Sequence, residues 1–271
     1  MNTKTDVIFI SHGGGPRPLM GDPDHREMVD QLTELAGKLA KPTAILVISA
    51  HWEESLPTIT AGAHPELIYD YYGFPPEAYK IEYPCTGEPE LARQVYQALE
   101  QAGIPARLDH ERGFDHGLFV PLKLMYPAAD TPCVQLSLVN SLDAGAHLAI
   151  GRALQMLDYE NLLVVGSGFS FHNMGAFFSA ATPEIRARNQ AFEDWLEETC
   201  TDTTMPESVR AERLTHWDRA PHARFCHPRE EHLLPLHVCY GLAEKPSDRH
   251  MSATILGKKS GMFYWRTEAV L

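Results

Sequence analysis

The sequence predicts an α/β protein: a central sheet, mostly parallel or mixed, flanked by helices and folded as a single domain over residues 1–271. Three observations carry this. Short apolar runs rich in Val, Ile and Leu alternate with segments whose apolar residues recur every three to four positions, as strands and helices do in layered folds. With 271 residues, 44% hydrophobic and 22% charged, the chain can bury one sizeable core. No internal repeat, low-complexity tract or linker divides it.

The elements follow in order. Val7–Ile10 is the first strand, leading into Ser11, His12 and the triplet Gly13–Gly15. Arg26–Leu39 is a helix with Met28, Leu32, Leu35 and Leu39 on one face. Ala44–Ser49 is the second strand and runs into His51 and Trp52. Tyr69–Pro84 is dense in aromatics and prolines without a clear period. It reads as a rigid loop shaping an aromatic pocket, or as a subunit interface. Pro89–Ala102 is a helix carrying Leu91, Val95 and Leu99, stopped by Gly103. Cys133–Val139, Ala144–Leu157 and Leu162–Val165 read as strand, helix and strand. Pro183–Glu198 is a helix with proline in its first turn, and Thr199–Pro206 is the one loop expected to be long enough to move. Pro228 is expected to open a last helix whose first turn holds Glu230, Glu231 and His232, with Leu233, Leu234 and Leu236 on its buried face.

Composition excludes several function classes. The formal charge is 23 − 36 = −13 and no Lys/Arg run occurs, so neither nucleic acid nor an anionic membrane surface is an expected partner. Five cysteines, Cys85, Cys133, Cys200, Cys226 and Cys239, form no Cys-x-x-Cys pair. A disulfide framework is not expected, and a reducing compartment fits. The apolar stretch before Ser11 is too short for the core of a secretion signal. No run approaches the roughly 20 apolar residues of a membrane span. A cytoplasmic protein is therefore expected. There is no His-Glu-x-x-His, Walker loop, Gly-x-Ser-x-Gly or dinucleotide glycine motif.

The informative residues are histidines, of which there are 14. Six stand where a strand ends or a turn begins: His12, His51, His116, His172, His227 and His232. Ligands in such sheets bind outside the carboxyl ends of the strands, so His12, His51 and His172 belong on one rim. Imidazole is the commonest metal ligand and a general base near neutral pH. A nitrogen- and oxygen-rich set without cysteine points to Fe(II) or Zn(II) rather than a structural thiolate site. In the last segment His232, Glu230 and Glu231 are all candidate ligands. His25, His64, His147, His216, His222, His237 and His250 read as surface or hydrogen-bonded positions.

Taken together, the segments resemble one family. They are Ser11-His12-Gly13, the stretch from Val47 to Trp52, Tyr69-Asp70, Tyr72-Gly73-Phe74-Pro75, Tyr83-Pro84 with Gly87, and Gly113 to Gly117. Val120-Pro121-Leu122, Met125-Tyr126-Pro127, Val134 to Ser137, Gly166-Ser167-Gly168, His172-Asn173, Glu231-His232 and Leu234-Pro235-Leu236 complete the set. In this order they resemble the class III extradiol ring-cleavage dioxygenases, in the DOPA 4,5-dioxygenase-like branch.

The resemblance implies a non-haem metal enzyme that takes a catechol and O2, with Fe(II) for activity and Zn(II) as an ion some members carry. It implies His12, His51 and His232 as metal ligands and His172 as catalytic base, or as a fourth ligand in a zinc-loaded form. His116 would orient substrate or dioxygen. Relatives in the superfamily often use a glutamate as third ligand where this chain has His232, which keeps Glu230 and Glu231 as alternatives. The same residues would serve a zinc-dependent hydrolase, or a non-catalytic metal-binding protein on the same fold. His116 and His172 weigh against the scaffold, which has no need for two unliganded imidazoles facing an open metal. Arg17 and Lys123 are the candidates to hold a substrate carboxylate.

Overall fold

The computed structural model describes residues 4–180 and 182–268. The first three residues, part of the N-terminal reading above, lie outside it. Eight strands form one mixed sheet: β1 (Lys4–Ser11), β2 (Ala44–Glu54), β3 (Thr58–Thr60), β4 (Arg107–Asp109), β5 (Cys133–Val139), β6 (Leu162–Gly168), β7 (Arg249–Ile255) and β8 (Lys258–Glu268). Their order is β4-β3-β5-β2-β6-β1-β8-β7. The block β5-β2-β6-β1 is parallel throughout, and β8 and β7 extend it antiparallel. The expected α/β architecture with a mixed sheet is thus the one observed.

Alternation along the strands builds two cores. On β1, Val7 and Phe9 face one layer while Ile8 and Ile10 face the other. Leu162 and Val164 against Leu163 and Val165 repeat this on β6. Both faces being covered explains why these strands read as continuous apolar runs. Arg26–Lys38 and His116–Met125 cover one face. Pro89–Gln101, Ala144–Leu154, Pro183–Thr201 and Leu234–Ala243 cover the other.

Several elements differ from the sequence reading. The loop expected at Thr199–Pro206 is shorter, because Pro183–Thr201 stays helical and a further helix starts at Glu207. Arg210 makes this tight connection possible: its buried guanidinium donates to the carbonyls of Thr199 and Asp202. The last helix begins at Leu234, with Pro235 in its first turn, not at Pro228. His232 and Glu231 therefore sit in the turn before that helix. The aromatic Tyr69–Pro84 segment contains one short 3-10 turn, Pro76–Lys80. No helix among the described residues is long and apolar enough to cross a membrane. All five cysteines are free and buried.

Candidate metal centre

The site grows from the carboxyl ends of β1, β2 and β6. His12 follows directly on β1, and its amide donates to Gly168 O at 3.0 Å, continuing the β1–β6 ladder by one step. Its Nδ1 lies 3.0 Å from Ser167 Oγ, and that hydroxyl donates its own proton to Gly117 O. Ser167 can therefore only accept from His12. The proton is fixed on Nδ1, and Nε2 carries a lone pair.

His51 sits in a bulge of β2, where the register against β5 shifts between Ile48 and Glu53. Bulges re-aim side chains at the rims of sheets. His51 Nε2 comes 3.0 Å from His12 Nε2, and its Nδ1 faces Asp70 Oδ2 at 3.8 Å.

His116 opens the helix His116–Met125, capped by Asp115, which accepts from Gly117 N at 3.0 Å. Asp115 is wholly buried and accepts from Ser49 Oγ, Gln135 Nε2 and Arg112 Nη2. Burial, and then the nearby Asp70 charge, push its carboxyl pKa up despite those donors. Gly117 allows this crowding, since a Cβ there would lie 2.5 Å from Ser49 Oγ and 3.2 Å from His51 Cδ2. The His116 side chain and backbone both donate to Asp70 Oδ1, at 2.8 and 2.9 Å. Burial opposes ionisation of Asp70, but the His116 bonds outweigh it and lower its pKa.

His172 lies beyond β6, on a loop locked to the turn that carries His232. Its amide donates to Cys226 O at 2.9 Å, and Phe169 N donates to His232 O at 2.8 Å. Gly168 permits the approach, because a Cβ would meet His232 O at 2.1 Å. Glu231 Oε1 accepts from His172 Nδ1 at 3.1 Å and from His232 Nδ1 at 3.0 Å. Burial would raise the Glu231 carboxyl, yet these two bonds hold it far below the usual carboxylate range. Glu230 is elsewhere, paired with Arg224 at 2.7 Å. His227 is also buried, donates Nε2–H to Ser170 O at 2.7 Å and pins the same loop. Burial lowers its pKa to about 3 despite that bond.

Four of the five clustered imidazoles thus have Nδ1 tied to a hydroxyl or carboxylate, which leaves Nε2 as a free donor atom. Such outer partners set tautomer and orientation in histidine metal sites. Three of the rings also stay uncharged: burial first, then neighbouring imidazoles, hold His12 and His51 well below the usual imidazole value and His232 at about 3. Neutral lone pairs in a buried cluster suit a divalent cation. Two nitrogens about 2.1 Å from one ion at a right angle lie roughly 3.0 Å apart, which is the His12–His51 separation. An imidazole bound at that distance puts its centroid roughly 3.2 Å from the ion, so ligand rings lie roughly 4.6–5.3 Å apart. The His12–His51, His51–His232 and His12–His232 centroids are 4.9, 4.9 and 5.3 Å apart. His116 is less regular, at 3.9 Å from His51 and 5.7 Å from His12. By close approach of donor atoms alone, His12, His51 and His116 form one group able to hold an ion, and His172, Glu231 and His232 a second.

The cluster floors a cavity of about 360 Å³, walled by Tyr71, Phe74, Phe169 and Phe177 with Arg17 at its side. That size suits a small aromatic ligand. A larger open cleft of about 630 Å³ lies at the opposite ends of β1 and β6, beside Thr5 and Leu162, and contains no histidine. Five of the six singled-out histidines meet in one site and His227 supports it from behind. Among the histidines read as unremarkable, His25, His147 and His237 prove buried and hydrogen-bonded. Among the site residues without a role in the sequence reading are Asp70, Ser167, Asp115, Phe169 and Phe177.

Fold and centre together define an α/β enzyme built on a histidine-rich metal pocket at the carboxyl rim of its sheet. Residues 6–264 match the family described as the catalytic LigB subunit of aromatic ring-opening dioxygenase. The chain belongs to that family and is a metal-dependent extradiol ring-cleavage dioxygenase. It is 40% identical to dioxygenase tasH of Hapsidospora irregularis over 96% of this chain and 85% of that one. It is 38% identical to a 4,5-DOPA dioxygenase extradiol of Beta vulgaris, over 89% of this chain and 88% of the relative. A crystal structure of an uncharacterized protein from Escherichia coli K12 superposes with a TM-score of 0.76 at 27% identity, covering 96% of this chain and 99% of the other.

Proposed function

We propose that this single catalytic domain opens a DOPA-like catechol next to its diol, in the cytoplasm, with Fe(II) held by His12, His51 and His232. The observation that carries the ligand assignment is the near-equilateral triangle of these three rings. The substrate class is supported by the relatives named for DOPA cleavage. Iron would supply the redox chemistry that joins catechol and dioxygen, whereas zinc on the same ligands has no redox change to offer.

The chain's own residues do the rest. His172 is the base: with its Nδ1–H on Glu231, its Nε2 lone pair takes a phenol proton, and Glu231 balances the imidazolium that results. His116 orients the reactants. Neutral, it accepts through Nε2; protonated, it donates from both nitrogens with Asp70 beside it, and so steadies negative charge on oxygen. The aromatic walls give the substrate ring an apolar seat beside the histidines.

The test is anaerobic Fe(II) reconstitution followed by a panel of catechols, reading oxygen uptake and the yellow ring-opened product. Oxygen uptake that depends on iron and on a catechol is the expected result. No uptake with any catechol at full iron loading would overturn the reading.

A further inference from the structure

Arg17 is the only lysine or arginine among the described residues that line the histidine cavity. Lys123, the other cation considered for a substrate carboxylate, donates instead to Glu82 O at 2.8 Å and is not part of the lining. The Arg17 guanidinium is fixed rather than loose. Its Nη1 donates to Asp22 Oδ2 at 2.9 Å, and Asp22 is itself held by the amide of Asp24 at 2.9 Å. Among the described residues its Nε and Nη2 have no other partner, and the side chain stays 40% exposed.

The route from the histidines to this cation is aromatic. His116 meets Tyr71 edge-on at 5.6 Å, Tyr71 meets Phe74 at 5.5 Å, and the Arg17 guanidinium lies 5.8 Å from the Phe74 centroid. A ring seated at the histidines can lay a short arm along this wall, apolar until its end. The one carboxylate lining the cavity, Asp70, is already committed to His116 and faces His51. Arg17 therefore meets no competing anion inside the pocket, and a planar fork with two free donors matches a carboxylate.

We propose that Arg17 is the specificity-determining residue of this pocket, selecting catechols whose side arm ends in a carboxylate. The assignment rests on the ring-cleavage reading for the seat of the catechol and adds the anchor for its arm.

The probes are 3-(3,4-dihydroxyphenyl)propionate and its primary amide, which match in shape and differ in charge. Calorimetry on the zinc-loaded protein measures binding without turnover, and kcat/KM on the iron-loaded protein measures selection. Wild type should favour the acid by about tenfold or more in both. Arg17→Gln should bring the two probes to within about threefold of each other, and Arg17→Lys, which keeps charge without the fork, should fall between. Thermal melts confirm that the variants are folded. Equal affinities in wild type, no measurable binding of the acid, or a ratio unchanged in Arg17→Gln would overturn the assignment. Binding ratios decide the role of Arg17 even if neither ring opens. Failure of both probes and every other catechol to consume oxygen overturns the ring-cleavage reading alone.

Discussion

The imidazoles of His172 and His232 lie face to face, 3.5 Å between centroids and 14° from parallel. Both turn Nδ1 to one carboxylate oxygen, that of Glu231. Two stacked rings this close cannot both be cationic. The burial and the His172 neighbour that lower His232 to about 3 express that conflict. Replacing Glu231 with Gln removes the charge that would compensate a proton on His172 as the proposed base, and loosens the tautomer of His232. Metal affinity should fall about 10–100-fold, and kcat should fall further than affinity predicts. A metal titration paired with single-turnover kinetics separates the two effects.

The proposed division of labour among the histidines predicts different failures. His12→Ala and His51→Ala should lose the metal, measured by elemental analysis after dialysis. His172→Ala should keep it and lose turnover by about 10²–10⁴-fold, the usual contribution of a general base. Retention of stoichiometric metal in both of the first two variants would remove them from the ligand set.

Gly117 is a steric test of the site. A methyl group there would stand 2.5 Å from Ser49 Oγ and 3.2 Å from His51 Cδ2. Gly117→Ala should destabilise the fold by about 1–3 kcal/mol, as overpacking does, and weaken metal binding by displacing His51. Urea unfolding and a metal titration on the same variant check both.

Glu193 predicts an alkaline decline in stability. It is fully buried and accepts from Ser170 Oγ at 2.7 Å; burial outweighs that bond and pushes its carboxyl up to about 8. A folded value above the unfolded one means the native state holds the proton longer. Its contribution is complete below the unfolded carboxyl value and is lost as pH rises through about 8. The slope within that window is on the order of 1 kcal/mol per pH unit. Urea midpoints of wild type should drop between pH 6 and 8, and Glu193→Gln should abolish most of that drop. An identical drop in the variant would exclude Glu193 as its source.

The strands that carry the site were legible because both faces are buried. Val7–Ile10 and Leu162–Val165 show as unbroken apolar runs, and the histidines stand at or just beyond their ends. The helix His116–Met125 was hidden by Pro121 and by burial all round, which erases helical periodicity. The hairpin of β7 and β8 went unread although β8 carries the apolar run Met262-Phe263-Tyr264-Trp265; its partner β7 mixes buried and exposed positions and shows no such run. The strands β3 and β4 span three residues each, too few for any pattern.

Within the site, residue type revealed the imidazoles, but sequence distance concealed their partners. Asp70 is 46 residues from His116, and Ser167 is 155 from His12. Tyr69-Asp70 was one of the segments behind the family resemblance, yet only the folded chain assigns the aspartate a task. Glu231 was read as an alternative ligand to its neighbour; the folded chain adds a bond between the two, because the turn before Leu234 directs both side chains at one point.

That shared oxygen has a consequence for timing. Glu231 has one negative charge to distribute between two rings, so the proton load on His172 and the donor strength of His232 are not independent variables. In the proposed reaction, a proton taken up by His172 would draw part of the Glu231 charge away from His232. The second carboxylate, Asp70, bonds His116 through Oδ1 at 2.8 Å and only faces His51, with its other oxygen 3.8 Å away. The close coupling thus links one proposed ligand, His232, to the proposed base, His172. On the proposed roles, the grip on the centre and the progress of proton transfer draw on one and the same charge, that of Glu231.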